Sequence, residues 1–202
     1  MRVYLTRHGE TEWNTEKRMQ GWLDSDLTEN GIKAAKALGE RLKDISFSTI
    51  YASPSGRTLQ TAKLITESNK QKEIKTDERL REIHLGNWQG KTQEEIKKME
   101  REHFEAYFHF PHLYNRNDGE TFADVQKRAI SFWNELIEKH HSGNVLVVSH
   151  GMWLKSLLNY LKKEPIQHLW DGPFHHGTSL SIVKVNNHQI EIETEACTKH
   201  LI

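Results

Sequence analysis

The feature that most constrains this chain is an uninterrupted apolar run, Val145-Leu146-Val147-Val148, which stops at Ser149-His150-Gly151. A strand without polar alternation has no solvent face. It must be covered on both sides, as an interior strand is in a parallel sheet flanked by helices. Residues 153–161 follow with helical character, so the order is strand, histidine, helix. The amino terminus repeats that order. Val3, Tyr4 and Leu5 form a strand-like stretch that stops at Arg7-His8-Gly9, where glycine permits a sharp turn. Thr28 then has the character of a helix cap, and Ile32, Ala35, Leu38, Gly39 and Leu42 follow at helical spacing. Another unit runs through a strand at 47–52, with Ser53 expected as cap and Pro54 at the first helical position. Its helix places Leu59, Ala62 and Ile65 on one face and Arg57 in the first turn.

Between these units, Thr92 and Glu95 form a capping box, and 121–141 reads as a helix with Phe122, Val125, Ala129, Phe132 and Leu136 facing inward and Gly143 as its stop. Residues 179–185 and 188–194 alternate about Asn186-Asn187, the pattern of a closing antiparallel hairpin. Alternating strands and helices predict a three-layer α/β/α sandwich with a mostly parallel central sheet. Its ligands bind beyond the carboxyl ends of the parallel strands. At 202 residues a single domain, 1–202, is expected, with 84–120 as the main excursion from the pattern.

Lys+Arg and Asp+Glu each number 28, so no bulk positive field attracts nucleic acid or an anionic membrane, and any anion site must be local. No segment approaches the roughly twenty apolar residues of a membrane span, and Met1 runs directly into strand-like residues; a cytoplasmic location is expected. Cys197 has no cysteine partner and receives no role. The thirteen histidines include no H-E-x-x-H, and the neighbouring pairs His140-His141 and His175-His176 do not present both rings to one side of a regular element. No metal site is expected.

Three strand ends thus carry Arg7 with His8, Arg57 just after Ser53, and His150. Any one alone reads as an isolated surface residue. Together, at equivalent strand ends, two guanidiniums and two imidazoles suit a phosphate: arginine forks match phosphoryl oxygens, helix N-termini add N–H donors, and a neutral imidazole can attack phosphorus.

The segment L-T-R-H-G-E-T-E-W-N at 5–14 resembles the R-H-G-x-x-x-x-N signature of the histidine phosphatase superfamily, the phosphoglycerate-mutase-like fold. The blocks Q-G-W-L-D-S-D-L-T-E-N-G at 20–31, S-P-S-G-R-T-L-Q-T-A at 53–62, L-R-E-I-H-L-G-N-W-Q-G at 80–90 and V-V-S-H-G at 147–151 look like family blocks in family order. The resemblance implies that His8 is the nucleophile forming a phosphohistidine, with Arg7, Arg57 and His150 around the phosphoryl group. Asn14, Gln20, Gly21 and Gly151 would complete the phosphate and substrate pocket. It implies a backbone carbonyl holding the proton on the other nitrogen of His8, and no cofactor, since cationic donors stabilise the transferring phosphoryl group. Glu82 matches the family acid that protonates the leaving oxygen and then activates water; its plain alternative is a salt bridge to Arg79 or Arg81. Glu10 and Glu12 read as surface or supporting residues.

Residues 84–120 fall in the family's variable, substrate-side insertion above the pocket. There and nearby, Trp22, Trp88, Phe104, Tyr107, Phe108, Phe110 and Tyr114 are expected in part to line the entrance, although dense aromatics more often form core. Arg101 and Arg116 could instead fold over the pocket and bind a second acidic group. The stretch I-H-L-G-N-W-Q-G lacks the E-R-x-Y-G look of the mutases and resembles the small bacterial phosphatases, including broad-specificity enzymes. The resemblance therefore implies a metal-independent phosphatase of small phosphomonoesters. The alternatives are a phosphoglycerate mutase, a ribazole-phosphate phosphatase, or an inactive module that binds phosphorylated ligands. The intact set of His8, Arg57, Glu82 and His150 argues against the last.

Overall fold

The computed structural model describes residues 1–67, 73–187 and 189–201. Its sheet contains β1 (Arg2–Arg7), β2 (Thr49–Ala52), β3 (Ile74–Thr76), β4 (Asn144–Ser149), β5 (Leu180–Asn186) and β6 (Gln189–Cys197), in the spatial order β3-β2-β4-β1-β5-β6. β4 lies between β1 and β2 and is parallel to both, whereas β5 and β6 add antiparallel strands at the β1 edge. This is why Val145–Val148 could be apolar throughout: alternate side chains enter two different cores. Val145 and Val147 join Val3, Leu5 and Val183 on one face, while Leu146 and Val148 join Tyr4, Ile50 and Ala52 on the other. Each such side chain, fully buried, contributes roughly 1.5–3 kcal/mol.

The helices divide between these faces. α2 (Glu29–Arg41) and α3 (Gly56–Thr66) cover one with Leu38, Ala62 and Ile65. α6 (Phe122–Lys139) and α7 (Gly151–Leu161) cover the other with Phe132, Leu136, Trp153 and Leu157. The predicted three-layer sandwich is therefore the observed one. A short α1 (Glu12–Thr15) follows the first strand end, and α4 (Gln93–Met99) and α5 (Arg101–His109) form the helical excursion. Thr28, Thr92 and Thr121 all cap helices through their side chains.

The structure corrects several local expectations. The cap of α3 is Ser55, not Ser53, because the Ser53 hydroxyl is engaged with His150 Nε2 at 2.8 Å and its carbonyl accepts from Thr58 Oγ1. α6 ends at an extended His140, so Gly143, at φ 78°, serves the turn into β4 instead of the helix stop. Phe47 precedes β2 and packs edge-on against Tyr4. β3 had no counterpart in the sequence reading. The hairpin forms, with Asn187 in a left-handed conformation; His188 lies outside the described residues.

Candidate active site

Strand register brings the two histidines together. Arg7 on β1 is the partner of Ser149 on β4, so His8 and His150 each stand one residue beyond paired strand ends, with ring centroids 5.3 Å apart. On the other side of β4, Ala52 pairs with Val148, which brings the start of α3 and Arg57 to the same edge. A pocket of about 380 Å³ opens there, bordered by Arg7, His8, Asn14, Gln20, Gly21, Arg57, Glu82 and Gly151 among others. Among the predicted site residues, only His150 stands back from the pocket wall, 1% exposed behind Arg57.

The protonation pattern follows from who can donate. His8 Nδ1 lies 2.7 Å from the Gly9 carbonyl, which only accepts; Nδ1 therefore carries the proton and Nε2 keeps a lone pair. Arg57 Nη2 lies 3.1 Å from His150 Nδ1, and a guanidinium only donates, so His150 carries its proton on Nε2 and gives it to Ser53. Desolvation first, and then the positive charge of Arg57, hold both imidazoles well below the usual histidine range. Both rings are neutral.

Arg57 is almost fully spent on structure. Nη1 donates to the Leu23 carbonyl at 2.7 Å and to Asp24 Oδ1 at 2.8 Å, and Nη2 donates to the Gly21 carbonyl at 2.9 Å and to His150. Its Nε–H alone is left, buried without a partner among the described residues. Arg7 is less committed: Nη1 donates to the His175 carbonyl at 2.9 Å, and Nε is buried without a partner among the described residues. Burial lowers both guanidinium pKa values from their ordinary range, opposed at Arg7 by Glu82 and at Arg57 chiefly by Asp24. A buried unpaired charged donor costs more than the 1–3 kcal/mol of a neutral one. An anion hydrogen-bonded to these groups would remove that cost.

Glu82 is not in a salt bridge with its sequence neighbours: Arg79 pairs with Asp77 and Glu135, and Arg81 with Glu78. Its carboxylate instead accepts from the Ile83 N–H at 2.9 Å and, at the start of α7, from the Met152 N–H at 3.2 Å. Asn14 closes the α1 capping box with Oδ1 on the Thr11 N–H. Gln20 donates to Thr11 Oγ1 at 2.8 Å and accepts from Ser25. Gly21 has φ +54°, a left-handed conformation that favours glycine, and a Cβ there would lie 2.3 Å from Gln89 Oε1, so a side chain would strain the turn and displace Gln89. Gly151 begins α7, where its Cα faces Arg7 Nε at ordinary contact distance for an added Cβ. Glu10 borders the pocket and accepts from Thr28 Oγ1.

A family model of the histidine phosphatase superfamily, branch 1, matches residues 3–198. The chain belongs to that superfamily. It is 36% identical over 170 residues to phosphoserine phosphatase 1 of Hydrogenobacter thermophilus, covering 84% of this chain and 80% of that one. It is 34% identical over 161 residues to a probable phosphoglycerate mutase of Yersinia pestis, covering 80% and 74%. The solved structure of Bacillus stearothermophilus YhfR superposes with a TM-score of 0.97 at 44% identity, covering 100% of this chain and 99% of that one.

In this histidine phosphatase the helical excursion supplies one wall of the pocket, through Tyr107 and Phe108. The other aromatics named from the sequence behave differently. Trp88 and Tyr114 are core residues beneath that wall, Phe110 is 52% exposed, and Trp22 lies outside the lining, donating its indole N–H to the Glu82 carbonyl. Trp170 and Phe174, not anticipated, do border the pocket. Arg116 is tied to Glu100 and Asp118 and lies over the Trp88 ring, and neither it nor Arg101 reaches the pocket lining. His175 and His176 both border it, because they sit in a loop and not in a regular element. Among the described residues, no group of three or more His, Cys, Asp or Glu side chains could hold a metal ion, and no helix is long and apolar enough to cross a membrane.

Sequence reasoning missed Asp24, Gln89, Arg128 and Lys155. Asp24 and Gln89 lie inside the recognised blocks, but their partners, the Arg57 guanidinium and the Trp22 N–H, lie 33 and 67 residues away in the chain. Arg128 and Lys155 sit in helices read only for their apolar faces.

Proposed function

We propose that this protein hydrolyses small phosphomonoesters through a phosphohistidine at His8, with broad specificity for the leaving group. The observation that carries this reading is that Arg7 and Arg57, whose Nε–H donors are buried without a partner among the described residues, line the same pocket as a neutral His8 with a free Nε2 lone pair. In the first step, the Nε2 lone pair of His8 attacks phosphorus and the bond from phosphorus to the leaving oxygen breaks. Glu82 supplies the proton that this oxygen takes up. In the second, water attacks the phosphohistidine, Glu82 receives its proton, and the phosphorus–nitrogen bond breaks to release inorganic phosphate. Preformed arginine donors stabilise the charge on the phosphoryl oxygens in both steps. His150 keeps Arg57 in place from behind, while Asn14, Gln20, Gly21 and the start of α7 at Gly151 border the phosphate.

Breadth is supported by the wall facing this cradle, where Met19, Leu85, Tyr107, Phe108, Trp170 and Phe174 offer contact area without directional hydrogen bonding. The reading places the reaction in the cytoplasm, in keeping with the lone Cys197.

Rapid-quench labelling with a chromogenic phosphate ester, worked up in base, tests the route. The wild type should carry a base-stable phosphoryl group on His8. His8→Ala should carry none and lose about 10³-fold or more in kcat, on the order of 4 kcal/mol. Retained turnover in His8→Ala would reject the nucleophile, and conversion of a phosphoglycerate to its isomer faster than phosphate release would assign a mutase.

A further inference from the structure

Lys155 lies on α7 one turn after Gly151, on the same face, and side chains on a helix lean toward its N-terminus. Its ammonium is thus carried back toward the pocket that Gly151 borders, and Lys155 is itself part of the pocket lining. The residue is only 7% exposed. Among the described residues it makes no ion pair; its contacts are the Leu169 and Asp171 carbonyls, each at 3.4 Å, and the Trp170 ring, 5.8 Å away. Nearby charges are otherwise committed, with Glu195 on Lys162 and Asp171 on His168. Beside it in the lining stands His175, 3% exposed, whose Nδ1 is buried without a partner among the described residues. A desolvated cation with only two long carbonyl contacts is under-satisfied, and so is a buried imidazole nitrogen.

We propose that Lys155 and His175 form a specificity subsite that receives a carboxylate carried by the leaving group of the substrate. The proposal rests on the phosphatase reading and deepens it. Within a broad range of leaving groups it names the favoured class as phosphomonoesters with a carboxylate beyond an apolar or aromatic spacer that lies along Tyr107, Phe108 and Trp170. One ammonium balances one negative charge, and His175, held to a pKa of about 3 by burial and then by Lys155, stays neutral; the pair therefore fits a carboxylate better than a second phosphate dianion.

The test compares phenyl phosphate with its 3-carboxy and 4-carboxy derivatives in the wild type, Lys155→Met and Lys155→Arg, with thermal unfolding as a check on folding. In the wild type, the better carboxylated ester should show the higher kcat/KM, mainly through KM. The ratio of its kcat/KM to that of phenyl phosphate should fall at least tenfold in Lys155→Met and recover in large part in Lys155→Arg. An equal fall for all three esters would assign Lys155 a structural role and overturn the proposal, as would a wild type indifferent to the carboxylate. Should Lys155→Met fail to fold, the wild-type preference and its loss in His175→Phe decide the matter. If the wild type hydrolysed no ester, the phosphatase reading and the subsite would fall together; hydrolysis without a carboxylate preference would remove the subsite alone.

Discussion

At the scale of single residues, the site is built by assigning each polar atom one task. Arg57 spends four N–H groups on the 21–24 loop and His150 and keeps one; His8 spends one nitrogen on Gly9 and keeps the other. Glu82 has its carboxylate held by two backbone N–H groups, so its position does not depend on a flexible ion pair. Its proposed task is proton transfer, and Glu82→Gln preserves shape while removing the proton. In single-turnover phosphorylation, the substitution should cost on the order of 10²–10⁴-fold for an alkyl phosphate and much less for 4-nitrophenyl phosphate, whose leaving group departs unprotonated. Equal losses for the two esters would take general acid work away from Glu82. The residue types were legible in the sequence because five ordered blocks carried them; the division of donors was not, because Asp24 reaches Arg57 only once the chain has folded.

Among elements, the segment that carries Glu82 has no strand or long helix of its own and is braced from α6. Arg128 donates to the carbonyls of Arg79, Arg81 and Glu82 and forms a bidentate pair with Glu120, which in turn accepts from the His84 N–H. This makes Arg128 a positioning residue for Glu82. Arg128→Met should lower stability by about 1–3 kcal/mol, the usual cost of removing charge-assisted hydrogen bonds from a half-buried site. It should also reproduce, in part, the leaving-group dependence of Glu82→Gln, and Arg128→Lys should restore some of both. A variant that loses stability while treating alkyl and nitrophenyl esters alike would confine Arg128 to a structural role. The helix itself was predicted from Phe122, Val125, Ala129, Phe132 and Leu136, but its polar face carries no period that reveals which residue reaches across to 79–82.

For the molecule as a whole, burying neutral histidines links folding to pH. His8 and His150 titrate well below the ordinary range, and His175 at about 3, each with burial as the leading cause. Below pH 6.5 the unfolded chain binds protons at these three positions that the folded protein refuses. Their contribution to stability is therefore complete above about pH 7 and is lost as pH falls, at up to roughly 1.4 kcal/mol per pH unit for each histidine. Urea unfolding should be most resistant at pH 7–8 and weaken steeply from pH 6 to pH 4, with His175→Gln showing a slope smaller by about one proton. A midpoint unchanged between pH 7.5 and pH 5 would contradict the buried neutral state of these rings.

The sequence by itself determined the layers and the edge at which the site forms. An unbroken apolar run demands cover on both faces, and a histidine at the carboxyl end of two parallel strands marks the edge where ligands bind. It also determined the family, through residue types in a fixed order. Tertiary structure alone decided how the pocket is finished. Trp88 and Tyr114 went into the core while Trp170 and Phe174 came to the pocket, and Arg116 was taken by Glu100 and Asp118 while Lys155 makes no ion pair among the described residues. Hydrophobic periodicity specifies which face of an element is buried. It does not specify whether a buried side chain meets another core residue or an open cavity, because that depends on how distant segments pack against one another.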